Sequence, residues 1–294
     1  RTTMIPMAAG AVRAESCGQQ KGGAVMKNKY RDFFGFKKAA FAADSKTSDI
    51  LKTPELSDVE ERFGYVISLG AIGLITGEVG SGKTTALRYA LDKLHPSEYR
   101  VLYVTASSGS MLEFYRQFVD ALDIHLTSTS KAVMVKVIKK EIVDYVHEKK
   151  MKIVLVIDEA SLMRLEVFAE LHTICQFEKD SKPWLPIILA GQSNLVDKLT
   201  YRDSRPLASR IVAKSHLQGA DLKGMEAYLQ HHLALCGVDR MLFEKSAVTA
   251  IHQGSGGLFR KANHLARGAL IAAALDQSQM AQSEHVRLAA TEIL

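Results

Sequence analysis

Cysteine is scarce in this sequence, and long apolar runs are absent from it. The 294 residues include three cysteines, Cys17, Cys175 and Cys236, which are far apart and form no CxxC pair. This argues against a disulfide framework or a zinc site, and a reducing, cytoplasmic setting is expected. No run of about 18 apolar residues occurs, so we expect no transmembrane helix and no membrane partner. The ten histidines show no HExxH or paired metal spacing, which argues against a histidine-based metalloenzyme.

The net charge of +6 lies entirely near the N-terminus. Residues 1–48 contain nine Lys or Arg and three Asp or Glu, whereas the remaining 246 residues contain 29 of each sign. A basic arm can bind phosphate backbones, but it can equally be a solvated tail. Residues 1–25 show no hydrophobic period and do not resemble a signal peptide, and Met26 could be the natural start. We therefore expect residues 1–48 to form a basic, partly disordered arm, with an aromatic docking segment or strand-like part from residue 30.

Strands and helices are predicted to alternate in the middle of the chain. Short apolar runs predict buried strands at residues 72–76, 100–105, 153–157 and 186–190. Apolar residues at helical spacing predict helices at residues 54–69, 83–94, 110–122, 133–148 and 165–177. This βαβ alternation predicts an α/β fold with a mostly parallel sheet covered by helices on both faces.

The strand pattern stops at about residue 220. Helical periodicity then covers residues 225–235, 244–253 and 260–274. We therefore predict an α/β core at residues 49–217, followed by a small all-helical lid at residues 218–294.

A glycine-rich motif follows the first predicted strand. Residues 77–84 read Gly-Glu-Val-Gly-Ser-Gly-Lys-Thr, which matches GxxxxGK[ST] at every fixed position between a strand and a helix. Glycines let successive backbone N–H groups point at phosphate oxygens. Lys83 would contact the β- and γ-phosphates of a nucleotide, and the Thr84 hydroxyl would reach Mg²⁺. The predicted nucleotide-binding residues of this P-loop are Gly77, Glu78, Val79, Gly80, Ser81, Gly82, Lys83, Thr84 and Thr85.

Two acids end the hydrophobic strand at residues 153–157. An unpaired buried carboxylate is costly, so a strand that ends in acids suggests a charged partner. Asp158 would hold Mg²⁺ through its water shell, and Glu159 would orient and deprotonate the attacking water. The alternative is an exposed acidic turn after a core strand.

The sequence resembles the ExeA-type AAA+ ATPases over about residues 28–294. The similar segments are Gly-Leu-Ile-Thr-Gly-Glu-Val-Gly-Ser-Gly-Lys-Thr-Thr at residues 73–85, Ile-Asp-Glu-Ala at 157–160 and Tyr-Arg-Asp-Phe-Phe-Gly-Phe at 30–36. This group includes the general secretion pathway protein A ATPases and the transposition helper ATPases that resemble TniB and TnsC. The resemblance implies a P-loop AAA+ fold with a lid and a preference for ATP.

The resemblance also implies catalytic positions outside the two motifs. Gln192 lies where sensor 1 is expected and would help to position the water, although Ser193 or Asn194 could serve, and a polar loop cap is the alternative. Arg260, in Gly-Gly-Leu-Phe-Arg, resembles the sensor 2 arginine that contacts phosphates from the lid.

An arginine-rich stretch at residues 201–211 resembles the arginine-finger region. An arginine there would reach the γ-phosphate of a neighbouring subunit, which requires a homo-oligomer, a ring or a filament. Arg210 is the favoured finger and Arg205 the second candidate. The alternative is that these are surface arginines paired with acids.

Two functions fit the resemblance, and a third class is weighed against them. The first is an oligomeric regulator of transposition that binds double-stranded DNA and recruits a transposase. The basic arm, the lack of a predicted transmembrane segment and the compact layout of ATPase core and lid favour it. The second is a secretion-system assembly ATPase, which we expect to continue into a membrane span. A nucleotide-gated module without turnover is disfavoured because Lys83, Glu159 and a finger candidate are all present.

Overall fold

A five-stranded sheet forms the centre of the computed structural model, which describes residues 30–42 and 46–292. All neighbouring strands pair in parallel, in the order β2-β3-β4-β1-β5. The strands are β1 (Ile72–Gly77), β2 (Tyr99–Thr105), β3 (Lys152–Asp158), β4 (Ile187–Gly191) and β5 (Ile211–Leu217). The predicted parallel α/β sheet is confirmed.

Helices cover both faces of this sheet. The core helices are α1 (Pro54–Leu69), α2 (Lys83–Leu91), α3 (Met111–Ala121), α4 (Lys131–His147), α5 (Leu165–Ile174), α6 (Asn194–Thr200) and α7 (Arg205–Ala208). On one face, α1 and α2 pack on a cluster that includes Val154 and Ile188. On the other face, α3, α4 and α5 pack on a cluster that includes Leu155 and Leu189. Because both faces are covered, the central strands are apolar at nearly every position.

Local chemistry sets the two ends of α1. The Thr53 side chain accepts a hydrogen bond from the Leu56 amide, and Pro54 occupies the first turn, where its missing N–H costs nothing. The helix ends at Gly70 in a left-handed conformation, and a Cβ there would lie 1.8 Å from the Pro183 carbonyl oxygen. Glycine is therefore required at this position, and it turns the chain directly into β1.

Several predicted element bounds were wrong, and one strand was missed. Helix α2 ends at Leu91 rather than at residue 94, and α5 ends at Ile174 rather than at residue 177. Strand β5 was not predicted, because an arginine-rich stretch precedes it and only part of it is buried. It is an edge strand, and three of its seven residues are exposed.

Four helices make up the lid in the described part of the chain beyond residue 218. They are α8 (Leu222–Leu235), α9 (Lys245–Ser255), α10 (Phe259–Leu275) and α11 (Ser283–Thr291). The first three were predicted, and α11 was not. Their buried residues form a core of their own around Leu229, Ile251 and Leu270.

The aromatic segment that begins at residue 30 belongs to this lid core. Residues 30–34 are helical, so the predicted strand-like arm is wrong for this part. Tyr30, Phe34, Phe36 and Phe41 are buried with the lid residues, and Arg267 of α10 donates to the Phe41 carbonyl. Residues 1–29 of the predicted arm lie outside the described residues, and the boundary at residue 48 stays a prediction.

Candidate nucleotide site

The glycine-rich loop joins β1 to α2 at the carboxyl edge of the sheet. Gly80 and Gly82 have φ values of +89° and +96°, which L-residues with a side chain rarely adopt. The loop is closed by a hydrogen bond of 3.1 Å from the Ser81 amide to the Glu78 carbonyl. Helix α2 then starts at Lys83, so its N-terminal amides and their partial positive charge face the loop.

Lys83 is buried beneath the loop, with 7% of its surface exposed. Its ammonium donates to the carbonyls of Gly77 and Glu78 at 2.9 and 3.0 Å. Burial lowers the pKa of Lys83, and the nearby Glu159, Asp158 and Glu78 oppose that shift. The buried cation is thus held by carbonyl oxygens, and its positive charge suits an anionic ligand in the loop.

Asp158 ends β3 and is only 5% exposed. Its Oδ2 accepts hydrogen bonds from Thr84 Oγ1 at 3.0 Å and from Tyr103 Oη at 2.5 Å. Its Oδ1 accepts from the Glu159 amide at 2.9 Å. The structure therefore brings the two predicted magnesium-holding residues, Thr84 and Asp158, into direct contact. Burial, and next the hydrogen bond to Asp158, raise the pKa of Tyr103, so its phenol is a neutral donor.

Glu159 adopts a left-handed backbone conformation, with φ of 53° and ψ of 32°. This conformation is uncommon for a residue with a side chain and is found often at functional sites. The Glu159 amide donates to Asp158 Oδ1 at 2.9 Å, which holds Glu159 directly beside that carboxylate. Glu159 thus stands next to the predicted metal-binding carboxylate, where a general base is needed.

Gln192 follows β4, the strand that lies between β1 and β3. Residues after this strand therefore lie between the glycine-rich loop and the two acids. Its neighbour Ser193 donates to Glu78 Oε1 at 3.2 Å. Gln192, Ser193 and Asn194 all follow β4 at this end of the sheet, and the choice among them stays open.

The lid contacts the glycine-rich loop through the first residues of α10. The Arg260 amide donates to the Gly80 carbonyl at 3.4 Å. A Cβ at Gly82 would lie 3.5 Å from the Phe259 ring, and one at Gly80 would lie 3.0 Å from Arg260 Cβ. The backbone and Cβ of Arg260, the predicted sensor 2 arginine, thus lie against the phosphate loop.

Arg210 and Arg205 lie away from this site. The Arg210 carbonyl accepts a hydrogen bond from the amide of Ile72, the first residue of β1. Arg210 therefore lies at the amino ends of the strands, whereas the glycine-rich loop lies at their carboxyl ends. Its guanidinium pairs with Asp180 at 2.5 Å and donates to His172 Nδ1 at 3.2 Å. Arg205 is exposed and donates to the Thr200 carbonyl at 3.4 Å. Within one chain, the structure does not bring either finger candidate to the loop.

The donors at this edge fit a nucleotide and a metal ion. Ser81 Oγ is buried and has no hydrogen-bond partner among the described residues, which leaves it available to a ligand. Residues 30–42 and 46–292 contain no cluster of three or more His, Cys, Asp or Glu that could hold a metal alone. Thr84 Oγ1 and Asp158 Oδ2 lie 3.0 Å apart and could hold Mg²⁺ together with nucleotide phosphates, which is its usual manner of binding.

Two residues of this region were missed in the sequence. Tyr103 contacts Asp158 from the edge strand β2, and Lys198 of α6 donates to the carbonyls of Ser161 and Met163 at 2.6 and 2.8 Å. Neither belongs to a motif, and both contacts join residues far apart in sequence. Only the alignment of their strand or helix with its neighbour could have indicated these contacts.

Residues 67–199 match the family model described as AAA domain. This match, which covers just under half of the chain, and the α/β P-loop fold support an ATP hydrolase. No helix in the described ranges is long and apolar enough to cross a membrane.

The chain is also similar to General secretion pathway protein A of Aeromonas hydrophila. The two are 29% identical over 273 residues, which are 90% of this chain and 48% of that protein. The chain thus spans about half the length of this curated relative. The similarity supports an ExeA-type AAA ATPase, whereas a closer kinship with transposition ATPases stays a prediction.

Solved structures support the fold. Cdc6p from Pyrobaculum aerophilum superposes with a TM-score of 0.68 at 14% identity, over 86% of this chain and 70% of that one. The Aeropyrum pernix ORC1 protein in complex with DNA gives a TM-score of 0.65 at 17% identity, over 88% and 70%.

Proposed function

We propose that this chain is a magnesium-dependent AAA+ ATPase that assembles as a homo-oligomer on double-stranded DNA and regulates transposition by recruiting a transposase. The contact of Thr84 with Asp158 at 3.0 Å gives the main support to the ATPase part of this proposal, because it pairs the two predicted magnesium-holding residues beside the buried Lys83. A cytoplasmic location is part of the same proposal.

Each residue of the site has a place in the proposed hydrolysis. The loop amides and Lys83 bind and orient the phosphates, while Thr84 and Asp158 hold Mg²⁺, which would neutralise charge that develops on them. Glu159 takes the proton from the attacking water, and Gln192 orients that water. Arg260 adds positive charge from the lid, so that ATP would draw lid and core together.

The DNA-bound role is supported by the basic N-terminal arm and by the fold. One structure with the same fold is the ORC1 protein of Aeropyrum pernix in complex with DNA. In this proposal, ATP binding favours assembly on DNA and hydrolysis favours release. The finger that completes each site comes from the neighbouring subunit and is Arg210 or Arg205.

A secretion-system assembly ATPase is the second candidate. The 29% identity with General secretion pathway protein A supports it. The two candidates share the ATPase site and differ in what regulates it, DNA in the first and a protein partner in the second.

ATP hydrolysis with and without double-stranded DNA tests the proposal. We expect low basal turnover that DNA stimulates, and we expect Glu159→Gln to lower the rate about 100-fold or more, because it removes the general base. Glu61→Gln, an exposed acid of α1, is the matched control and should behave as the unmodified protein. If ATP hydrolysis is not stimulated by DNA but still requires Glu159, the secretion role is favoured. Turnover that survives Glu159→Gln would refute the assignment of the base.

A further inference from the structure

The phenol of Tyr103 is the feature of this site that no motif explains. Tyr103 lies on β2, whose Thr105 pairs with Asp158 of β3. Side chains two residues apart on a strand share a face, so Tyr103 and Asp158 project from the same side of the sheet. The Tyr103 hydroxyl donates to Asp158 Oδ2 at 2.5 Å.

That oxygen also accepts the hydroxyl of Thr84 at 3.0 Å. A carboxylate offers about four acceptor positions, two on each oxygen. Both positions on Oδ2 are therefore filled, and Oδ1 already accepts the Glu159 amide. A metal ion or its water that engages the oxygen beside Thr84 must displace a hydrogen bond.

Tyr103 is the donor that can give way. Its side chain is 40% exposed, so it can turn to water without opening the core. Thr84 is fixed in the first turn of α2, and its hydroxyl is itself expected on the metal. The neutral phenol thus gives the buried Asp158 carboxylate a hydrogen-bond donor where a cation would otherwise sit. A buried carboxylate oxygen without a partner would cost folding free energy.

We propose that Tyr103 is a positioning residue that competes with the divalent metal ion for Asp158 and so sets how much metal the site requires. The proposal rests on the proposed magnesium-dependent hydrolysis. Tyr103 holds Oδ2 towards Thr84 in the metal-free protein, and it releases that oxygen when the ion and nucleotide bind. A purely structural tyrosine would instead weaken metal binding when its hydroxyl is lost.

Metal titration of the full chain tests this role. Mn²⁺ is added to protein with ADP, and free Mn²⁺ is followed by electron paramagnetic resonance, which does not depend on turnover. We expect Tyr103→Phe to lower the half-saturating Mn²⁺ concentration about three- to ten-fold, the size of one hydrogen bond. The half-saturating Mg²⁺ for ATP hydrolysis should fall in the same direction.

Tyr99→Phe is the matched control, because it removes a hydroxyl from the same strand and the same face, at the opposite end of β2. It should leave metal binding as in the unmodified protein. Tyr103→Met provides a second variant without the hydroxyl, should the first fold poorly. Metal binding that is unchanged or weaker in folded variants overturns the competition. A wild-type protein that binds no metal with ADP overturns the proposed function instead, so the two failures are distinguishable.

Discussion

His232 shows how one side chain of the lid can depend on being uncharged. Its ring lies 5.4 Å from the Phe41 ring and 4.4 Å from the Tyr228 ring, measured between centroids. The pKa of His232 is lowered to about 4 from the ordinary 6.5, mainly by burial and then by His231 and Lys38, with Asp49 opposing them. Protonation in the folded state would leave a charge with little contact with water.

The lowered pKa predicts an acid-sensitive lid. Between pH 6.5 and 4 the unfolded chain binds a proton at His232 that the folded chain does not, so stability is complete above that window and is lost as pH falls. From pH 7 to pH 5, we expect this residue alone to remove about 2 kcal/mol from the free energy of unfolding. Urea unfolding at pH 7 and at pH 5 measures this change in the free energy of unfolding. The pH effect should shrink in His232→Phe but not in His125→Gln, an exposed control; an equal loss in all three proteins would contradict the assignment.

The nucleotide motifs were predictable at the residue scale because each is contiguous in sequence. The glycine-rich loop and the pair Asp158 and Glu159 carry their chemistry in adjacent residues, and the structure places them together. Tyr103 and the pairing of Arg210 with Asp180 were not predictable. They depend on strand register and on a turn at residues 178–180, where three successive residues have positive φ.

At the scale of elements, α6 supports the catalytic loop after β3. Lys198 donates to the carbonyls of Ser161 and Met163, at the end of the 3₁₀ turn Ala160–Leu162 that follows Glu159. A cation at the carboxyl end of a helical turn is favourable because it faces carbonyl oxygens. Since α6 also follows Gln192, this one side chain joins two of the predicted catalytic segments.

Lys198→Met is therefore expected to loosen the catalytic loop. It leaves two partly buried carbonyls without a donor, which should lower the free energy of unfolding by about 1–3 kcal/mol. The rate of ATP hydrolysis should fall as well, because Glu159 loses its fixed position. Lys136→Met on the exposed side of α4 is the control, and both variants are compared by urea unfolding and turnover. A rate equal to that of the control would remove Lys198 from the supporting role.

The sequence predicted the buried strands and most of the amphipathic helices correctly. It did not predict β5, of which only one face is buried. The strands β1, β3 and β4 are apolar on both faces, so a short apolar run marks them. In β5, Val212, Lys214 and His216 face outwards, and its polar content resembles a loop. Helix α11 was missed because it packs on α10 and α9 through few buried residues.

At the scale of the whole molecule, the site is incomplete without a neighbour if a finger acts in trans. Arg210 is held by Asp180 at the far edge of the sheet, while Arg205 is exposed. Either side chain would have to serve the site of another subunit.

Mixing two inactive variants tests this arrangement. Glu159→Gln keeps an intact finger, and a finger variant keeps an intact general base, so mixed oligomers should recover ATP hydrolysis that neither protein shows alone. Recovery with Arg210→Ala assigns Arg210, and recovery with Arg205→Ala assigns Arg205. Asp180→Ala is the control for simple loss of the ion pair and should remain active by itself. Full activity of both arginine variants alone would exclude a finger at either position.

The docking of residues 30–41 into the lid has a consequence for how the protein is made. These aromatic residues leave the ribosome well before their partners in α8 and α10, which lie about two hundred residues further along the chain. Synthesis adds about 5–20 residues per second. Tyr30, Phe34 and Phe41 therefore lack their contacts with α8 and α10 for at least about ten seconds. The nucleotide core can fold in that interval, and the lid can close only when the last helices arrive. The segment at residues 30–41 thus completes its packing only late in synthesis, after the nucleotide core has left the ribosome.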